Sequence, residues 1–160
     1  MSKLNPSESK ILRQGGKILG RILKRLLYLA AQKKTGDEIE AEAEKLIKDA
    51  GGFPAFKEAK NAKGEFYPAA ICLSLNEEVV HGLPFGKKIY AGDLVSIDIG
   101  LRYKGLVTDM AWTIYVEGKD KKVKRMLKFN QLALKRAIQK ARLPYFVEDI
   151  SLEIERTARE

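Results

Sequence analysis

Aspartate is disfavoured at the centre of a strand. This sequence places two, Asp98 and Asp109, inside runs that alternate apolar and polar residues as strands do. Lys104 and Gly105 separate the runs, a two-residue hairpin signal. With those two residues as the turn, Tyr103 faces Leu106, Ile97 meets Trp112, Ile99 meets Met110 and Leu101 meets Thr108. That face is almost wholly apolar and is the expected core face. Asp98 and Asp109 share the other face as diagonal neighbours, with Cα atoms roughly 7–8 Å apart, so their carboxylates can converge on one point. Converging carboxylates repel, and one pKa rises unless a proton, a basic side chain or a metal ion neutralises them. Carboxylate oxygens suit divalent cations. An adjacent pair can hold two ions that clamp a water nucleophile and polarise a carbonyl. The competing reading is a salt-bridged or half-exposed aspartate pair. A turn with an odd residue count would put the two side chains on opposite faces, so the chemistry hangs on the register.

His81 is the only histidine and Cys72 the only cysteine. A lone histidine in a turn-rich stretch is more often structural or solvated than catalytic. A lone cysteine in a strand-like run reads as a small buried hydrophobe. It can form no internal disulfide, which fits a reducing compartment. No His/Asp partner set for a thiol protease is expected around Cys72, since His81 is the only histidine. The pairs Gly15-Gly16 and Gly51-Gly52 lack the strand-to-helix setting of a phosphate loop.

Periodicity and punctuation outline the elements that must position these groups. Ile11, Leu12, Gly15, Ile18, Leu19, Ile22, Leu23, Leu26 and Ala30 recur at helical spacing from a start at Ser7 or Glu8. Thr35 and Glu38 form a capping box for a second helix, whose inward stripe is Ile39, Ala43, Leu46, Ile47 and Ala50. Gly51-Gly52 ends it. Residues 53–68 read as a loop punctuated by Pro54, Asn61, Gly64 and Pro68. Strands are expected over 69–75, 92–103 and 106–116, with a turn-rich stretch at 76–86. A long helix over 120–142 carries Val123, Met126, Leu127, Asn130, Leu134, Ala137, Ile138 and Ala141 on one face. Pro144 breaks it, and another helix occupies 148–160. The order of elements predicts an α+β fold, an antiparallel β-sheet covered by helices on one face.

A chain of 160 residues fits one domain with a real core, and its 45% apolar and 32% charged residues are those of a soluble globular protein. Residues 1–10 are polar, and the apolar stretch 18–31 is interrupted by Arg21, Lys24 and Arg25. Neither a signal peptide nor a membrane span is predicted, and the expected location is cytoplasmic. Residues 119–142 hold ten Lys or Arg and one acid, Asp120, and so account for the whole net charge of +9. Such a run is either a solvated helix face or a docking face for a polyanion such as ribosomal RNA. No aromatic-rich signature accompanies it, so sequence-specific nucleic-acid recognition is not expected.

The motifs ICLSLNEEVVHG over 71–82 and GDLVSIDIG over 92–100 strongly resemble the type I methionine aminopeptidases. So do YKG over 103–105, TDMA over 108–111, RQGGKI over 13–18 and FPAF over 53–56. The resemblance spans nearly the whole chain. It implies the pita-bread α/β fold, with 1–160 as the first of two halves related by a pseudo-twofold axis. The implied activity is removal of the initiator methionine from nascent peptides by two divalent metal ions, with Co, Mn, Fe and Zn not distinguished. Asp98 matches the family's first aspartate ligand and Asp109 the aspartate that bridges both metals. His81 matches the histidine that contacts substrate beside the scissile bond, and Tyr67 and Cys72 match positions lining the methionine pocket. Gly64 stands where that pocket has an aromatic residue. The family completes its metal site with one histidine and two glutamates from the second half, and no histidine follows His81. The 160-residue chain alone is therefore expected to bind divalent ions weakly and to lack useful peptidase activity. The alternatives are a non-catalytic half-domain that binds peptide, ribosome or a partner chain, and a pair of copies arranged about a twofold axis.

Overall fold

The computed structural model describes residues 4–60 and 63–160. Asn61, expected as loop punctuation, lies outside them. The chain divides into two compact units, 1–118 and 119–160.

The first unit opens with helix α1, Pro6–Ala31. It starts slightly ahead of the sequence expectation because Asn5 and Glu8 cap each other: the Glu8 N–H donates to Asn5 Oδ1 (2.9 Å) and the Asn5 N–H to Glu8 Oε2 (2.8 Å). Pro6 fills the first turn, where no N–H is needed. Helix α2, Gly36–Asp49, begins at the Thr35–Glu38 capping box. The stretch expected as a loop holds a short strand β1, Phe53–Pro54, and a 3₁₀ turn, Ala55–Glu58. Proline cannot donate to a ladder, and β1 accordingly lies at the sheet edge.

Strands β2, Ile71–Leu75, β3, Leu94–Tyr103, and β4, Leu106–Tyr115, complete a four-stranded antiparallel sheet. β3 is central: β4 pairs along its full length, and β2 and β1 pair with successive parts of it. Lys104 (φ +48°) and Gly105 (φ +84°) make the two-residue turn. Both central φ values are positive, as the turn that matches strand twist requires. The register is the expected one, with Tyr103 opposite Leu106, Gly100 opposite Asp109 and Asp98 opposite Ala111.

Val95, Ile97, Ile99, Leu101, Ile71 and Leu73 are buried against Leu19, Leu26, Ile39 and Ile47 of the two helices. The expected core face is less complete on β4. Met110 and Trp112 remain 37% and 38% exposed. β4 is an outer strand, and α1 meets it with small residues: a Cβ on Gly20 would only reach van der Waals distance of the Met110 side chain.

The second unit is a helical pair, α3, Lys121–Lys140, and α4, Val147–Ala158. Asp120 caps α3 by accepting the Lys122 N–H (2.7 Å). Ala133, Ala137 and Thr157 are buried, and Arg136 donates to Thr157 Oγ1 (3.0 Å) and to Glu160 (2.7 Å). No helix of the described residues is long and apolar enough to cross a membrane.

Candidate active site

Successive side chains in a strand point to opposite faces. Ile97, Ile99 and Leu101 face the helices, so Asp98 and Gly100 face away, and the hairpin register sets Asp109 beside Gly100 on the same side. The site therefore forms on the sheet face opposite α1 and α2. The two carboxyl groups are diagonal neighbours across the β3–β4 ladder. Burial first, and then the adjacent Asp109 carboxylate, push Asp98 from the ordinary 3.8 up to about 6, with His81 offsetting part of the rise. Among the described residues neither aspartate forms an ion pair with Lys or Arg. The salt-bridged alternative therefore falls away, while the half-exposed one holds: Asp98 is part-buried and Asp109 exposed, an anionic oxygen pair open to a proton or a cation.

β2 brings the other groups alongside. Cys72 is opposite Asp98 across the β2–β3 ladder. Its Sγ lies 3.8 Å from His81 Nδ1. The Tyr67 hydroxyl lies 3.4 Å from the Ile71 and Gly82 carbonyls. Burial raises the pKa of both the Tyr67 phenol and the Cys72 thiol, with the nearby Tyr67 offsetting part of the rise in the thiol. Both are neutral near pH 7, so Cys72 is a wall of the site and not a nucleophile. Phe56 meets the Tyr67 ring edge-on at 6.2 Å. All five site residues expected from the sequence, Asp98, Asp109, His81, Cys72 and Tyr67, thus gather on one face. Gly64, at φ +82°, has nothing within 4 Å of where a Cβ would stand.

An open cleft of about 320 Å³ runs past Asp109, lined by Phe56, Glu58, Gly100, Arg102 and Val107 among others. Gly100 is required there, because a Cβ would stand 2.8 Å from the Phe56 ring. Among the described residues no group of three or more His, Cys, Asp and Glu is placed to hold a metal ion. The aspartate pair fits a divalent ion in donor type and charge, but supplies only part of a donor set.

The sequence reading missed Glu40, Glu78 and Lys87. Glu40 is only 6% exposed and accepts the N–H groups of Ala70 (2.6 Å) and Ile71 (3.2 Å), which fixes the start of β2. A signal was present: Glu40 shares helical spacing with the apolar Ala43 and Ile47. Glu78 lies inside the 71–82 motif with no role read for it, and nothing in the local sequence marked Lys87.

A profile of metallopeptidase family M24 matches residues 10–160. The chain belongs to metallopeptidase family M24. Among M24 relatives, the methionine aminopeptidase of Clostridium perfringens (strain 13 / Type A) is 32% identical over 151 residues, which make 94% of this chain and 59% of that protein. Methionine aminopeptidase 1 of Bacillus subtilis (strain 168) is also 32% identical, over 94% of this chain and 58% of its own length. The crystal structure of methionine aminopeptidase from Thermotoga maritima superimposes with a TM-score of 0.87 at 33% identity, covering 99% of this chain and 63% of that one. The prolidase from Pyrococcus furiosus, 20% identical, shares the fold at a TM-score of 0.73. The sheet and its helices are the pita-bread fold of these peptidases. The chain spans about three fifths of the length of the methionine aminopeptidases it matches.

Proposed function

We propose that these residues contribute to a methionyl aminopeptidase, which removes the initiator methionine from nascent proteins in the cytoplasm. The observation that carries the reading is the placement of Asp98 and Asp109 as diagonal neighbours on one face of the hairpin, with Cys72, Tyr67 and His81 beside them. Asp98 and Asp109 would hold divalent metal, two ions when the donor set is complete. Bound metal supplies an activated water and a polarised carbonyl. The chain's own groups do the rest. Tyr67 and Cys72, both neutral, form an apolar-lined wall for an uncharged thioether side chain. His81 stands beside Cys72, where its ring can donate a hydrogen bond to the peptide oxygen as charge builds on it.

The donor count sets a limit on residues 1–160 alone. Two aspartates are few for a hard cation, which usually gathers six or more oxygens. We expect weak Mn²⁺ binding, lost in Asp109→Asn, and no turnover of a Met-Ala-Ser peptide by this chain by itself. Mn²⁺ binding untouched by Asp109→Asn would sink the metal assignment. Metal-dependent hydrolysis that spares no other N-terminal residue would sink the methionine assignment. Turnover specific for methionine would establish the activity and overturn the donor count.

A second reading concerns α3. Among the described residues Lys121, Lys124, Lys128 and Lys135 have no carboxylate partner, and their spacing sets them on one helix face. That face would dock the phosphate backbone of ribosomal RNA near emerging chains. Ribosome co-sedimentation that holds its level as salt rises would argue against it.

A further inference from the structure

β2 uses one edge to pair with β3. Its other edge carries backbone groups that no strand satisfies, a situation that proteins must resolve. Here side chains and one loop carbonyl resolve it. Glu40 takes the Ala70 and Ile71 N–H groups. The Tyr67 hydroxyl reaches the Ile71 carbonyl. The Leu73 N–H donates to the Gly82 carbonyl (2.8 Å), and the Leu73 carbonyl accepts from Lys87 Nζ (2.7 Å). The Leu75 N–H donates to Glu78 Oε2 (2.8 Å), and Glu78 is ion-paired with Lys87. The Gly82 N–H turns back to Ser74 Oγ (3.1 Å).

We propose that Lys87 is a positioning residue, whose ammonium locks the 76–86 loop against β2 and so holds His81 over Cys72. The Lys87 side chain is 17% exposed and joins three parts of the molecule. Its Nζ binds Leu73 of β2 and Glu78 of the loop, and its carbonyl accepts the Gly36 N–H (2.9 Å) at the start of α2. Gly82 fits beneath this clasp because it has no Cβ. One would stand 2.5 Å from the Leu73 carbonyl oxygen, 2.7 Å from Lys87 Nζ and 2.9 Å from Glu78 Oε2. His81, the residue before it, has φ +59°. A non-glycine residue keeps that left-handed conformation only where its surroundings over-determine it. The bonds on Gly82 provide that restraint, and the result is the 3.8 Å approach of His81 Nδ1 to Cys72 Sγ. Removing the ammonium strips a charged donor from the Leu73 carbonyl and leaves Glu78 without its counter-ion, while the strain at His81 remains. That an unlocked His81 lowers catalysis rests on the aminopeptidase reading; the positioning itself does not.

The test exploits a chain with one histidine and one cysteine, each a single-site reporter. Lys87→Met, Lys87→Arg and a control, Lys34→Met, would be compared with wild type. Lys34 forms an exposed ion pair with Glu38 on the first turn of α2. The readouts are the nuclear Overhauser contact between the His81 ring and Cys72, the rate of Cys72 alkylation by iodoacetamide, and the melting temperature. Lys87→Met should lose the contact and alkylate faster by on the order of ten-fold, the equilibrium weight of one charged hydrogen bond. Lys87→Arg should keep both at wild-type values, and Lys34→Met should leave both unchanged even if it melts lower. An intact contact and rate in Lys87→Met would overturn the proposal. So would the same change in Lys34→Met, which would trace the effect to general loosening. If Lys87→Met does not fold, Glu78→Gln decides, and an unaltered His81–Cys72 contact there overturns the clasp. None of these readouts uses metal or hydrolysis, so failure of the clasp and failure of the aminopeptidase reading are separately visible.

Discussion

Asp98→Asn should stabilise the metal-free protein and at the same time abolish its stabilisation by metal. Asp98 is raised from 3.8 to about 6 by burial and by Asp109. A rise of about 2 units is worth on the order of 3 kcal/mol of unfavourable free energy once the group is ionised. The site keeps solvent access, so about 1–2 kcal/mol is the realistic share. The sign follows from the direction of the shift. The folded pKa lies above the unfolded one, so the fold favours the protonated form. The penalty is absent below about pH 4, grows between about pH 4 and 6, and is complete above that. Asparagine carries no charge and escapes it. At pH 7.5 in EDTA, Asp98→Asn should therefore melt higher by about 3–6 °C for a unit of this size. At pH 4 the two proteins should melt together. Added Mn²⁺ should then raise the melting temperature of wild type and leave the variant where it was, because only wild type offers both carboxylates. Calorimetry in the two buffers, with and without Mn²⁺, reads all of this. A variant that melts below wild type at pH 7.5 in EDTA would refute the repulsion argument. A gap equal at pH 4 and pH 7.5 would trace it to something other than the Asp98 charge.

The same carboxyl makes metal binding pH-dependent. Mn²⁺ affinity measured by titration should fall as pH drops through about 6, where protons compete for Asp98, and should level off above it. Glu40→Ala leaves the buried Ala70 and Ile71 N–H groups without an acceptor, and should lower stability by about 2–4 kcal/mol in urea unfolding. Gly105→Val forces a β-branched residue to φ +84°, and should cost at least about 1 kcal/mol while loosening the register that pairs the aspartates. Charge reversal of Lys121, Lys124 and Lys128 together should weaken ribosome co-sedimentation and flatten its salt dependence, without altering the melting of the 1–118 unit.

The aspartate pair was legible because hairpin geometry is local. Positive φ at Lys104 and Gly105 fixes a two-residue turn, the turn fixes the register, and the period of two in a strand then fixes which side chains share a face. The same local logic placed the Thr35–Glu38 cap. It erred at the start of α1, where Asn5 and Pro6 were the stronger signal, and over 53–68. There two residues pair with the far end of β3, a contact across the chain that periodicity does not report.

Sequence by itself determined the chemistry available: two carboxylates on one hairpin face, one histidine, one cysteine, and a basic helix. Tertiary structure decided what surrounds them. The expected apolar face of β4 stays part-exposed at Met110 and Trp112, because an outer strand is covered only as far as the helix above it reaches. The bonds along the unpaired edge of β2 come from Lys87, Glu78, Ser74 and Glu40, which lie in separate parts of the chain and meet only there. An ion pair or an orphaned backbone group has no sequence period. Its partner is set by which atoms lie within hydrogen-bond reach once the sheet and helices have packed.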